Sequence, residues 1–374
     1  MTRTAVVAGG GIGGLAVATA LAQRGWQVQV HERAPELRMF GAGIWMWENG
    51  LLSLRCLGAE DETVRRARAI KRWTVLDDKG DEVFTRDFTP DDHMVLPLRA
   101  DLYHALVAAA GRAGVEVVTS STAVEATPAG ELVLENGERV QADLVVAADG
   151  AFSRIREGLF LTDRIAYLRE GYIRLTVPTR PGDEDSVIYE CWNGSRRLLY
   201  CPCTEDVHYV AFSCAVEDLA ARGIPVDHDT WIASFPRFED VVGRIGNQGR
   251  WDRGMTVRCS SWSQGRVVLV GDAAHAMAPN LGQGANLTLT NAVSLAAAVT
   301  GVADIPAALR AWERRERSLT DHVQRWSHAY GTVVSRWPQQ LEKYRAPVLQ
   351  AVTSLPWVDA QLNRAARHRP VGAG

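Results

Sequence analysis

The sequence is short of several features that would narrow its function at once. No apolar run approaches the roughly 18 residues that a membrane-spanning helix needs, so no membrane partner is expected. Charge of neither sign dominates: 41 Lys and Arg face 44 Asp and Glu over 374 residues, leaving a formal charge of −3. That balance gives no reason to expect nucleic acid or an anionic surface as partner. No internal repeat or low-complexity segment is present. Strand-like residues begin at Ala5, which leaves no room for a leader, and a cytoplasmic location is the expectation. Six cysteines are scattered along the chain. Cys201 and Cys203 would share one face of a strand rather than follow the C-x₂-C spacing of a zinc knuckle, so no metal site is expected.

What is present begins with AVVAGGGIGGLAVATALAQRGWQVQVHE, from Ala5 to Glu32. A short apolar strand runs into Gly9, Gly11 and Gly14, an alanine-rich helix follows, and Val28 to Val30 form a second strand. In a dinucleotide-binding βαβ unit the first glycine makes the tight turn, the second lets backbone approach a pyrophosphate, and the third lets helix pack on strand. The helix N-terminus offers unpaired N–H groups and a positive dipole end to the phosphates. Glu32 lies about twenty residues on, where an acid accepts a ribose 2′-OH and repels a 2′-phosphate. The unit therefore suits FAD or NAD rather than NADP.

The chain is long enough for two domains or one with a large insertion. A loop from Arg33 through Gly43 leads to a helix around Leu51 to Leu57. Lys71 to Leu76 and Glu82 to Asp87 read as a hairpin across the Asp77 to Gly80 turn. A helix over Arg99 to Ala113, a strand over Val115 to Val118, and strands Glu131 to Leu134 and Arg139 to Gln141 around Asn136-Gly137 follow. Leu144 to Ala147 and Arg266 to Val270 read as buried strands. Between them, YIRLTVP, SVIYECW, RRLLYCPC and VHYVAFSC alternate as an antiparallel sheet does. Helical stretches are expected near Val216 to Arg222 and Asp229 to Phe235, and from Gln283 onward. The expected fold class is mixed α/β. A Rossmann-like dinucleotide domain (1–70, 95–165 and 262–330) is interleaved with an antiparallel-sheet substrate domain (71–94 and 166–261), and a helical segment (331–374) ends the chain.

Two further glycine–acid signals bear on which dinucleotide is held. Asp149-Gly150 opens DGAFSRIR, and Gly271-Asp272 opens GDAAHAMAPNLGQGANLTLTNA. An acid at a strand end can hold a ribityl hydroxyl, which nicotinamide cofactors lack. Pro279, Gly282 and Gly284 let backbone approach a flat ring, with free N–H groups at the next helix start. With all three fingerprints in order, the chain resembles the class A flavoprotein aromatic hydroxylases of the para-hydroxybenzoate hydroxylase type, over nearly its whole length.

The resemblance implies FAD as cofactor, NAD(P)H as a transient co-substrate without a domain of its own, and a small aromatic substrate and O₂ as partners. It implies transfer of oxygen from a C4a-hydroperoxyflavin to an electron-rich ring, as in a hydroxylated aromatic or N-heteroaromatic acid. Carried over by residue, Gly9, Gly11 and Gly14 would meet the pyrophosphate and Glu32 the ribose. Arg33, Arg99 and the Val124 backbone would lie on the adenosine-pyrophosphate side, and Gly43 and Ile44 beside the isoalloxazine. Asp149 and Arg156 would serve cofactor contacts, Asp272 the ribityl chain, and Pro279 through Leu287, with Gly282, Gly284 and Asn286, the flavin pyrimidine. His275 would be structural rather than a general base.

Within that family, GAGIWMWENGLLSL, GYIRLTVP and RRLLYCPCTEDVHY resemble stretches of 2-methyl-3-hydroxypyridine-5-carboxylate oxygenase. That likeness implies substrate contacts for Arg197 and Tyr209. A guanidinium and a phenol could bind a carboxylate or a ring oxygen. Trp73, Tyr189 and Trp251 are further candidates for the pocket walls. NLGQGANL keeps the general family form, so hydroxylation and ring opening both stay open. So do the nicotinamide preference and the oligomeric state. Trp45-Met46-Trp47 is followed by Glu48-Asn49, unlike the W-x-W-x-I-P motif of flavin-dependent halogenases. A flavin reductase or dehydrogenase without oxygen transfer and a non-enzymatic redox sensor are the competing classes.

Overall fold

The computed structural model describes residues 2–37, 41–89 and 92–372; the part of the expected Arg33-to-Gly43 loop at 38–40 lies outside them. A six-stranded sheet carries the first fingerprint, in the order Ser263–Gln264, Val267–Leu269, Leu144–Ala147, Thr4–Ala8, Gln27–His31, Glu116–Val118. All pairings are parallel except that of the short edge strand Ser263–Gln264. The helix Ile12–Ala22 leaves the first strand and packs against Gly284–Val299 and Arg99–Arg112. Three distant stretches, near Ala8, Ala147 and Leu269, thus end side by side at the carboxyl edge of one sheet. In open parallel sheets that edge is where ligands bind.

A seven-stranded sheet stands over that edge, in the order Trp251–Cys259, Thr162–Pro178, Val207–Ala215, Arg196–Pro202, Val187–Asn193, Arg72–Leu76, Glu82–Asp87. Its pairings are antiparallel save one: Arg72–Leu76 pairs parallel to Val187–Asn193, which brings the hairpin around Asp77 to Gly80 into this sheet. The Asp77 side chain closes that turn by accepting from the Lys79 and Asp81 amides, both at 2.9 Å.

Side chains alternate across the strands. Ile173, Val177, Leu198, Val210 and Phe212 point to a face covered by the helices His228–Ser234 and Glu239–Gly243. Tyr172, Arg174, Arg197, Leu199, Tyr209 and Ala211 point to the other, toward the parallel sheet. The helix Ile305–Ser335, started by Pro306 and capped by Asp304 accepting from the Ala307 amide at 3.0 Å, braces both sheets.

Three sequence expectations change. Val216 to Arg222 is a run of turns, not a helix: Asp218 accepts from the Ala221 amide at 3.2 Å and pairs with Arg196 at 2.7 Å, tying the stretch to the sheet. The strand Trp251–Cys259 was not expected: its residues are mostly half-buried, so WDRGMTVRC carries no clean alternation. The strand opening the inserted sheet begins at Thr162, ten residues before Tyr172, and runs across the expected boundary at 165/166. Its register shifts between Tyr167 and Gly171, where the Trp251 ring fills the space a side chain at 171 would occupy.

Candidate active site

A cavity of about 420 Å³ lies between the two sheets, a size suited to a small organic ligand. Its floor is Gly11, Ile12 and Gly13 from the first fingerprint, Ala148 and Gly150 from the second, and Gly271 and Asp272 from the third. Pro279, Asn280, Gly282 and Gly284 line the side, where Gly282 packs against Trp45, and Gly43 and Ile44 continue the lining from there. The roof is the sheet face that carries Tyr172, Arg174, Arg197 and Tyr209.

The floor is built for close approach. A Cβ at Gly14 would sit 1.9 Å from the Gly9 carbonyl oxygen, so only glycine lets this helix meet its strand. Gly9 itself has φ +102° and lies against Ala148. At Gly11 nothing stands within 4 Å on the Cβ side, and the helix that it opens has neither a side-chain cap nor an acid in its first turn. Its positive end therefore faces the cavity uncompensated. Glu32 closes the loop, its Oε2 accepting from the Gly10 amide at 2.7 Å and its Oε1 from Ala34 at 2.8 Å. A second lone pair remains on each oxygen.

Two buried polar atoms nearby lack hydrogen-bond partners within the chain: Nε of Arg99 and Oδ1 of Asp149. Burial lowers the Arg99 pKa, helped by Arg174 and opposed by Asp272; burial likewise raises that of Asp149, against the Ser153 hydrogen bond. Asp272 lines the cavity. Shielding from bulk water pushes its pKa up, while Arg99 and Arg174 pull it down. A glycine cradle, an uncapped helix start, an orphaned guanidinium and an acid facing inward form a donor and acceptor set that fits a dinucleotide.

Several expected ligands turn out to be braces. Arg156 is fully buried, and its Nε, Nη1 and Nη2 donate to Thr162 Oγ1, the Ala273 carbonyl and the Ala151 carbonyl at 3.1, 3.0 and 2.9 Å. It ties the second fingerprint to the third instead of reaching the cavity. Asn286 donates to the carbonyls of Trp45 and Gly282 and accepts from the Trp47 amide, so it clamps the two walls together from behind. Leu287 packs with Leu319 and Val323. His275 accepts from Asn291 at 3.1 Å, and burial depresses its pKa to about 4, consistent with a neutral structural ring.

Other expected residues lie outside the cavity. Arg33 is exposed beside Glu32 and Val124 lies in a separate three-stranded sheet; neither lines the cavity, and nor does Glu32. Tyr189 and Trp251 pack on the helix-covered face of the seven-stranded sheet, one residue out of phase with the roof. Tyr189 meets Phe238 and Arg237 there. Trp73 is on the inner face but sits behind Trp45, edge-on at 5.5 Å between ring centroids.

Sequence reading passed over four residues of the roof and its support: Tyr172, Arg174, Glu190 and Tyr330. The Arg197 Nε makes an ion pair with Glu190 Oε1 at 2.6 Å, and Nη1 donates to Asn280 Oδ1 at 2.8 Å. Glu190, with no exposed surface, also accepts from Trp192 Nε1 at 2.8 Å and from the Tyr330 hydroxyl at 3.1 Å. The available signal was parity: Glu190 and Trp192 share the strand face opposite to that of Tyr189 and Cys191.

A family model described as FAD binding domain matches residues 1–325. The chain belongs to that family. It is 40% identical to the 2-heptyl-3-hydroxy-4(1H)-quinolone synthase of Mycobacteroides abscessus, over 93% of this chain and 94% of that protein. It is likewise 40% identical to a probable synthase of the same name from Rhodococcus erythropolis, over 87% of each chain. A solved structure of 2-methyl-3-hydroxypyridine-5-carboxylic acid oxygenase superposes with a TM-score of 0.88 at 34% identity, over 99% of this chain and 97% of that one. The protein is a flavoprotein monooxygenase with FAD as its cofactor and NAD(P)H as its reductant, and the reductase and sensor readings are not favoured. Among the described residues no helix is long and apolar enough to cross a membrane, and no cluster of side chains could hold a metal ion.

Proposed function

We propose that this monooxygenase inserts oxygen into a hydroxy- or oxo-substituted N-heteroaromatic ring seated beneath Arg197 and Tyr209. The observation that carries this reading is the meeting of a polar roof with a glycine-lined floor. Polar side chains of the sheet overhang a cavity whose floor is the FAD cradle, and Arg197 closes onto Asn280, beside Pro279, at 2.8 Å. In that cradle Gly11 and the helix start at Ile12 hold the pyrophosphate, Glu32 the adenosine ribose, Asp272 the ribityl chain, and Gly43, Ile44, Gly282 and Gly284 flank the ring. FAD, when bound, supplies the activation of oxygen.

The chain's own residues orient and exclude. Gly43 lets its loop press on the roof, since a Cβ there would meet the Tyr209 Cβ at 3.1 Å. Met277, Leu199, Ala211 and Trp45 give the cavity apolar walls, which keep water from the reacting ring. Arg197 and the Tyr209 hydroxyl are donors for a ring oxygen. Burial raises the Tyr209 pKa, against the pull of Arg174 and Arg197, so the phenol is held protonated at neutral pH. The names of the relatives at 40% identity and of the 34% identical solved structure support a nitrogen ring, a quinolone and a hydroxypyridine carboxylate, while relatives at 33% and 28% are named for hydroxybenzoates.

The test is anaerobic stopped-flow reduction of the holoenzyme by NADH or NADPH with a panel of such rings, followed by turnover in heavy-oxygen-labelled O₂. A productive ring should accelerate flavin reduction and take up label from O₂. Label from water alone would overturn oxygen insertion.

A further inference from the structure

The names of the relatives divide between rings that carry a carboxylate and rings that do not, and one buried contact bears on the difference. Arg197 is the cation that the strand Arg196–Pro202 brings to the roof. Its guanidinium is not free: Glu190 on the neighbouring strand pairs with Nε at 2.6 Å, Asn280 takes Nη1, and the Tyr330 ring lies 5.7 Å from Cζ. Glu190 is held by Trp192 and Tyr330, so the carboxylate cannot swing away. Of the other two cations of the cavity, Arg99 acts chiefly on Asp272 at the cofactor end, while Arg174 stands in the roof beside Tyr172 and Tyr209, on the strand Thr162–Pro178.

Resting on the reading of a hydroxylated N-heteroaromatic substrate, we infer that Glu190 is a specificity-determining residue. By cancelling the Arg197 charge it makes the Arg197 end of the roof a hydrogen-bond donor without net charge, which favours a neutral ring over its carboxylate congener at that end. A carboxylate entering beneath Arg197 would have to compete with Glu190 for the same guanidinium and would lie close to a second negative charge in a water-poor cavity. A neutral ring oxygen needs only one donated N–H and meets no such opposition. Through Arg197 and Asn280 the same carboxylate also fixes the turn at Pro279, so Glu190 is at once a positioning residue for that adjoining wall. Burial works against the Arg197 charge, yet Glu190 and Tyr330 outweigh it and its pKa is raised, as a permanently paired cation requires.

The experiment compares 4(1H)-quinolone with its 2-carboxylate, titrated into the oxidised holoenzyme and read by flavin fluorescence. The wild-type protein should bind the neutral ring more tightly. In Glu190→Gln the unpaired guanidinium should move the ratio of dissociation constants toward the carboxylate by about tenfold or more. Glu190→Asp, which keeps the charge, should restore the wild-type preference. Because an uncompensated buried Arg197 works against folding, the double variant Glu190→Gln/Arg197→Met is measured beside it: with both charges gone, the preference for the neutral ring should persist. A ratio unmoved in Glu190→Gln, or a wild-type protein that prefers the carboxylate, would overturn the role of Glu190. Failure of every hydroxylated N-heteroaromatic to bind or to accelerate flavin reduction would overturn the substrate reading itself.

Discussion

Arg156 Nη1 donates to the carbonyl of Ala273 at 3.0 Å, joining two glycine–acid motifs that lie 117 residues apart in the chain. The contact makes the second and third fingerprints one object, since Ala273 follows Asp272 at the cavity floor. Replacing Arg156 with Met should remove three donated bonds, to the half-buried Thr162 and Ala151 and to the buried Ala273 carbonyl, which is left with the weak Cys259 thiol as donor. We expect a loss of about 3 kcal/mol or more, seen as a lower thermal midpoint of the apoprotein, together with weaker FAD retention. An apoprotein as stable as wild type would show that the brace is dispensable.

The glycines of the first fingerprint should separate by experiment. Gly14→Ala drives a Cβ to 1.9 Å from the Gly9 carbonyl and should disrupt the fold of the unit, with or without cofactor. Gly11→Ala meets nothing within 4 Å and has φ −76°, so the apoprotein should keep its stability to within about 1 kcal/mol. Its methyl group would instead occupy the cofactor's side of the turn, and FAD affinity should fall by at least about tenfold. Calorimetry of apoprotein beside FAD titration distinguishes the two; equal damage to stability from both substitutions would refute the assignment.

His275 sets a pH dependence. Its pKa is depressed by burial to about 4, against 6.5 for an unhindered imidazole. Above pH 6.5 the ring is neutral folded or unfolded and contributes no slope. Between 6.5 and about 4 only the unfolded chain takes up the proton, so stability falls as the pH falls, by about 3 kcal/mol over that window. Below about 4 the slope ends. His275→Gln should show a smaller loss between pH 7 and 4.5 than wild type in thermal melts, and identical losses would exclude this source.

Asn286→Ala should loosen the cavity without touching it. The amide holds Trp45 and Gly282 from behind at 2.9 and 2.8 Å, and the loss of these bonds and of the one from Trp47 should cost about 2–3 kcal/mol. Substrate-independent NAD(P)H oxidation should rise, because the wall that excludes water is no longer clamped. Unchanged coupling of reductant to product would argue against a role for the clamp.

Much of this protein was readable where local physics decides. The turn at Gly9, the strand at Leu144–Ala147, the strands Glu131–Leu134 and Arg139–Gln141, and the hairpin at Asp77 to Gly80 depend on nearest neighbours: backbone angles, side-chain-to-backbone bonds and runs of apolar residues. Which face of the inserted sheet looks at the cofactor is a different kind of fact. Tyr189 and Glu190 are adjacent, yet one packs under Phe238 and the other holds Arg197. Alternation reveals that they oppose each other; it does not say which one faces inward. Aromatic character favoured Tyr189 and Trp251, and packing placed both on the far face.

The sequence by itself determined the family, the cofactor and the three motifs that meet it, because glycine geometry and acid placement are written in consecutive residues. The tertiary structure alone decided what Arg197 is. A guanidinium read in isolation is a charge waiting for an anion; with Glu190 2.6 Å away on the adjoining strand it becomes a neutral pair that donates. Strand order and register set that pairing, and no stretch of chain short enough to read as a motif contains both the strand and its consequence at Asn280.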